Sequence, residues 1–226
     1  MQPSVYGTDN TALLAALSEL RLYGIACCGV AVVDKSISDA ELERLDDAGI
    51  RGVRFNLVDV AEPRSALPVD AMRGLCERIA TFDWHLELLV HVDEHPQFDR
   101  TFAGWPVDIV LGHMGYSRPG RGPQSDGFQA MLRLAGDGRC WIKMTGPYRI
   151  SAGDLPYTEA GDFASVLVQE VPERLIWGTD WPHVMVTKKM PNDADLCDLL
   201  ADWVPDEATR RKILVANPDQ LYHLSR

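Results

Sequence analysis

A chain of 226 residues with 46% apolar side chains, 18 glycines and 14 prolines can bury one sizeable core, which excludes a fibrous or disordered polymer. Its formal charge of −11 excludes the basic face that nucleic acid or an anionic membrane requires, so the predicted partner is a small anionic substrate gripped by a few local arginines. No apolar run approaches the ~20 residues of a membrane span and no basic-then-apolar leader opens the sequence, so a soluble, cytoplasmic protein is expected.

In chain order, residues 2–6 read as the tail of a strand, and residues 11–23 as a helix with Leu13, Leu14, Leu17 and Leu20 on one face and Asp9 or Asn10 as its cap. An apolar strand at 25–33 precedes a helix at 38–48, opened by a capping box of Ser38 and Glu41. Strand 50–57, helix 69–82, strands 86–92 and 107–114, helix 128–135, strand 140–145, helix 162–171 and strand 175–178 continue the alternation, and helices at 193–204 and 206–216 close it. The five cysteines (Cys27, Cys28, Cys76, Cys140, Cys197) are odd in number and lack a C-x-x-C pair, so reduced thiols are expected.

Strands alternating with helices predict a parallel sheet with right-handed crossovers, in one domain over residues 1–226. A dinucleotide-binding sheet would carry G-x-G-x-x-G after its first strand; no such run exists, so an α/β (β/α)8 TIM barrel is favoured. In a barrel the chemistry collects at the C-terminal strand ends. Those ends carry Ser4, Arg54, Asn56, His91, His113, Lys143, Thr145 and Asp180. Two-residue periodicity puts Arg54 on a face with Gly52 and Asn56, His113 with Ile109 and Leu111, and Asp180 with Ile176 and Gly178. The glycines preceding Arg54 and Asp180 are expected to leave room in the barrel mouth.

Taken together, "GTDN" (7–10), "RGVRFN" (51–56), "LGHMG" (111–115), "WIKMTGPYR" (141–149), "IWGTDWPH" (176–183) and "NPDQLY" (217–222) resemble, in order, the motifs of the amidohydrolase superfamily, and most closely its 2-pyrone-4,6-dicarboxylate lactonase branch. The resemblance implies a hydrolase of a lactone or related cyclic ester of a small carboxylated organic acid. Asp180 would be the general base that activates water, and His113 the group that polarises the carbonyl. Arg54, Arg149 and Ser4 would bind substrate, and His183 and Tyr116 would stand beside it. Trp177, Trp181 and Pro182 are expected to desolvate Asp180 and raise its pKa. The lactonase branch is understood to work without metal, whereas the wider superfamily uses divalent ions such as zinc, so the cofactor stays open. A sugar-acid lactone isomerase is the close variant, and a non-catalytic barrel fragment the distant one.

The sequence departs from the lactonase pattern in three places. "HMGR" is "HMGY" here, with Tyr116 in place of an arginine and Arg118 and Arg121 following; in "CPDR" the cysteine is Gly146 and the aspartate Tyr148. A family strand bearing His-x-His is not found, and residues 1–10 align with the interior of the family's second strand. This predicts a barrel lacking its first strand, with open edges at 2–6 and 175–178 that favour a homo-oligomer.

Overall fold

The structure, a computed structural model, describes residues 1–58 and 67–224. Strands β1 (Gly29–Ala31), β2 (Ile50–Asn56), β3 (His85–Leu89), β4 (Ile109–Leu111), β5 (Cys140–Met144) and β6 (Leu175–Trp177) form a parallel sheet in sequential order. Around them run α1 (Thr11–Leu22), α2 (Asp39–Asp47), α3 (Val69–Ile79), α4 (Phe98–Phe102), α5 (Asp126–Gly136), α6 (Pro147–Ile150), α7 (Thr158–Glu170), α8 (Asp193–Trp203), α9 (Glu207–Arg211) and α10 (Asn217–Tyr222). A doubly wound sheet reverses its strand order part-way. Here every strand adds to the same side, so the sheet curls as part of a barrel.

The periodicity of the strands divides the molecule. Val53, Leu86, Leu88, Leu111, Ile142 and Leu175 point outward into the main core beneath the helices. Leu42 and Leu45 of α2 and Met72, Leu75 and Ile79 of α3 are buried there, each side chain contributing about 1.5–3 kcal/mol. The opposite faces carry Val110, Trp141 and Ile176, which form a small apolar floor with Leu221 of α10. Arg54, Glu87 and Lys143 are buried on the same side.

The predicted cap of α2 is present: the Ser38 side chain accepts from Glu41 N at 3.2 Å. Of the two cap candidates for α1, Asp9 is the one whose side chain meets a helical N–H. Asp9 accepts from Thr11 N at 3.0 Å, while the Asn10 amide turns away and bonds Val32 N and O at 3.1 and 2.8 Å.

Residues 2–6 do not form a strand. Pro3 offers no N–H to a ladder, and Ser4–Tyr6 coil into a 3-10 turn, leaving Gln2 N to reach Val30 O at 3.0 Å. With Asn10, this contact satisfies backbone groups along and just beyond the outer edge of β1. At the other edge the Asn217 amide donates to Leu175 O at 2.6 Å and to Pro172 O at 3.0 Å. Both edges are therefore partly covered by the chain's own polar groups.

Two further readings are corrected. Ile109 and Leu111 face the helices, not the barrel interior; His113 reaches the interior because its backbone turns left-handed (φ 50°), breaking the strand's alternation. Gly52 does not open the barrel mouth. A Cβ there would lie 2.4 Å from His85 Nε2, so the glycine makes room for a buried imidazole below Arg54.

Candidate active site

A cavity of about 210 Å3 opens at the C-terminal ends of the strands, lined by Arg54, Glu87, His113, Lys143, Thr145 and Asp180 among others. Its placement follows from the parallel winding, because every strand delivers its last inward residue to one mouth.

Asp180 ends the run that continues β6, on a left-handed backbone (φ 68°), with its carboxylate about nine-tenths buried. Oδ2 accepts from Arg149 Nε at 2.7 Å and from the Tyr148 hydroxyl at 2.6 Å. Oδ1 faces His113 Nε2 at 3.9 Å. Burial pushes the carboxyl up, but His113, Arg149 and the Tyr148 hydroxyl outweigh it and hold Asp180 below the usual carboxylate range. The expected upward shift is thus overturned. Trp181, expected to cover the carboxylate, is instead 73% exposed.

His113 is buried against Thr145, whose hydroxyl lies 2.9 Å from Nδ1 and 3.3 Å from the His113 backbone N. Burial lowers its pKa to about 4, so the ring is neutral near pH 7. If the Thr145 hydroxyl donates to Nδ1, the ring proton sits on Nε2, facing Asp180. Gly146, which replaces the lactonase cysteine, is fitted to this ring: a Cβ there would lie 2.6 Å from His113 Nδ1.

The substrate-binding candidates separate. Arg54 lines the cavity and reaches the Ser4 hydroxyl at 3.2 Å, while its buried Nε has no partner among the described residues. Ser4 sits behind it, also accepting from Asn56 at 3.0 Å. Arg149 is turned onto Asp180 and the Val184 carbonyl (2.9 Å). Tyr116 stands edge-on to His113, ring centroids 5.1 Å apart, and its carbonyl meets His91 Nδ1 at 2.6 Å. His183 is buried on Tyr148 and Asp193. Arg118 and Arg121 pair with Glu94 and Asp93, away from the cavity lining.

Three participants were given no role from the sequence, although Lys143 was among the polar strand-end residues. Tyr148, read as a departure, links Asp180 to His183. Glu87 and Lys143 form a buried pair at 2.5 Å; Glu87 is held low and Lys143 high because each stabilises the other's charge against burial. A glutamate inside the apolar run "HLELL" was the available signal. Among the described residues no three His, Cys, Asp or Glu side chains are grouped to hold a metal ion.

The family model described as amidohydrolase matches residues 1–224. The chain belongs to the amidohydrolase family. It is similar to a 2-pyrone-4,6-dicarboxylate hydrolase of Comamonas testosteroni, 34% identical over 98% of this chain and 74% of the relative. It is also similar to a D-galactarolactone isomerase of Agrobacterium fabrum, 31% identical over 99% and 75%. Among solved structures, a probable 2-pyrone-4,6-dicarboxylic acid hydrolase of Acinetobacter baumannii, with citric acid bound, superposes with a TM-score of 0.83 at 28% identity, covering 98% of this chain and 81% of that one.

Proposed function

We propose that this amidohydrolase opens the lactone of a small carboxylated organic acid, and that its six strands are the greater part of a (β/α)8 barrel. The observation that carries the reading is the facing of Asp180 and His113 at a cavity that also holds Arg54. Their 3.9 Å separation is too long for a direct hydrogen bond, yet one oxygen atom placed between them can touch both at ~2.8 Å. Asp180 Oδ1 takes a proton from water as the water attacks the lactone carbonyl. His113, as the neutral Nε2–H tautomer, stabilises the oxygen as negative charge develops on it. Asp180 then returns the proton to the leaving oxygen. Because the relatives named above act on lactones, this chemistry fits the family as well as the geometry.

The charges suggest the substrate's form. Lys143 is matched by Glu87 and Arg149 by Asp180, which leaves Arg54 to meet a carboxylate. With Tyr116 where the lactonase pattern has an arginine, one substrate carboxylate suits the cavity better than two. The cavity is smaller than the ~300–1,000 Å3 of pockets for drug-sized ligands, as a compact acid requires.

The test is turnover of a panel of mono- and dicarboxylated lactones, including 2-pyrone-4,6-dicarboxylate and D-galactarolactone, with products identified by NMR. An open hydroxy acid (or its keto tautomer) is expected. An isomeric lactone would instead favour the second reading, suggested by the isomerase relative. Absence of turnover across the panel by the folded chain would sink both.

A further inference from the structure

Arg54 and Glu87 stand side by side on the wall of the cavity. They are partners in the parallel register of β2 and β3, so their side chains leave the sheet on the same face, from strands about 4.8 Å apart. No ion pair joins them among the described residues. Arg54 reaches the Ser4 hydroxyl at 3.2 Å, and Glu87 Oε2 accepts from Lys143 at 2.5 Å. Glu87 Oε1 has no hydrogen-bond partner among the described residues, on a side chain that is only 3% exposed. A cation with room for an anion thus lies next to an anion with room for a donor.

We propose that Glu87 Oε1 accepts a hydrogen bond from a substrate hydroxyl on the carbon next to the carboxylate that Arg54 holds. Glu87 is then a specificity-determining residue, and the substrate is a lactone of a hydroxylated acid, of the sugar-acid class, rather than an unsaturated pyrone. This deepens the lactone-opening reading above and rests on it for the reaction and for Arg54 as the carboxylate anchor.

The chemistry of the pair sets this preference. Burial pushes the Glu87 carboxyl up, but Lys143 and Arg54 outweigh it and keep the group ionised, so both of its oxygens only accept. The amino group of Met1 is the other cation nearby, and among the described residues it makes no ion pair with Glu87. Lys143 is a positioning residue here: it takes Oε2 and leaves Oε1 to the cavity. A substrate with no hydroxyl at that place strips solvent from Oε1 and gives it no donor, which costs more than a missing apolar contact. A second carboxylate there would set two anions together. A hydroxyl beside a carboxylate satisfies Oε1 and Arg54 at once.

Binding of small acids to the full chain tests this without turnover. D- and L-glycerate are compared by NMR titration with 3-hydroxypropionate, which differs only in lacking the hydroxyl next to the carboxylate. One glycerate enantiomer should bind the wild-type chain roughly 10- to 150-fold more tightly than 3-hydroxypropionate, the range for a hydrogen bond to a charged group. Equal affinities, or no binding of either glycerate, overturn the proposal. In Glu87→Gln that ratio should fall at least about threefold, because a neutral acceptor replaces a charged one. An unmoved ratio in the folded variant shows a structural role only and refutes the contact. Glu87→Gln combined with Lys143→Met, which leaves no unpaired buried ammonium, repeats the measurement if the single variant fails to fold; if both fail, the wild-type ratio decides. In turnover, D-galactarolactone should exceed 2-pyrone-4,6-dicarboxylate in kcat/KM, and the reverse order overturns the proposal. If no lactone is opened, the lactonase reading fails, while the glycerate ratio independently decides the role of Glu87.

Discussion

Asp180 and His113 face each other across 3.9 Å from two separate strand ends, and both stand on left-handed backbone, at φ 68° and 50°. Non-glycine residues in that region carry strain of order 1–3 kcal/mol that the surrounding fold must offset. Two such positions meeting at one cavity mark the site more sharply than either side chain alone. Asp180→Asn should lower kcat by roughly two to four orders of magnitude and leave KM within a few-fold. Steady-state kinetics at saturating lactone checks it; near wild-type kcat would remove Asp180 from the chemistry.

The two arginines should separate kinetically. Arg54→Met removes the cation left for a substrate carboxylate and should raise KM or Kd by about 1.5–3 kcal/mol, with a smaller change in kcat. Arg149→Met frees Asp180 Oδ2 and should act mainly on kcat. Equal effects of both variants on KM alone would contradict this division.

Gly52→Ala should destabilise the fold by about 1–3 kcal/mol, because its Cβ would meet the His85 ring at 2.4 Å. Denaturant unfolding of Gly52→Ala, His85→Ala and the double variant measures the coupling. If the collision is the cause, the double variant is more stable than the sum of the single losses predicts.

Acid should weaken the fold through two buried imidazoles. Burial lowers His85 to about 3 and His113 to about 4, below the ~6.5 of an unfolded histidine. Between those values the unfolded chain binds more protons than the folded one, so stability is full above about pH 6.5 and falls toward pH 4 and below. Each group contributes a slope of at most about 1.4 kcal/mol per pH unit. The melting temperature followed from pH 7 to 4 should drop, and less steeply in His85→Leu; identical slopes would exclude His85 as a contributor.

The edge contacts give a last expectation. Asn10→Ala together with Asn217→Ala removes the amides bonded to Val32, Pro172 and Leu175. Exposed strand edges recruit other chains. Sedimentation velocity should show more self-association in the double variant than in the parent chain, and an unchanged distribution would mean that these amides do not guard the edges.

The sequence by itself determined the winding, the main core and the identity of the facing pair. Periodicity is local, so alternating apolar runs placed the helices that bury Leu42, Leu45 and Met72 and counted six of the strands; the motifs around His113 and Asp180 picked out two residues that the structure brings face to face. Residues 2–6 were misread because apolar composition weighed more than the missing N–H of Pro3. What only the tertiary structure decided was which charges meet. Arg149 looked like a substrate anchor, Tyr148 like a loss and Trp181 like a shield, because spacing along one strand says nothing of the turns that follow it. The left-handed turn at His113 and the loop after Asp180 bring together Asp180, Tyr148, Arg149 and His183 from segments more than thirty residues apart. The balance of burial against those contacts, set in three dimensions, holds the carboxylate below its usual range rather than above it.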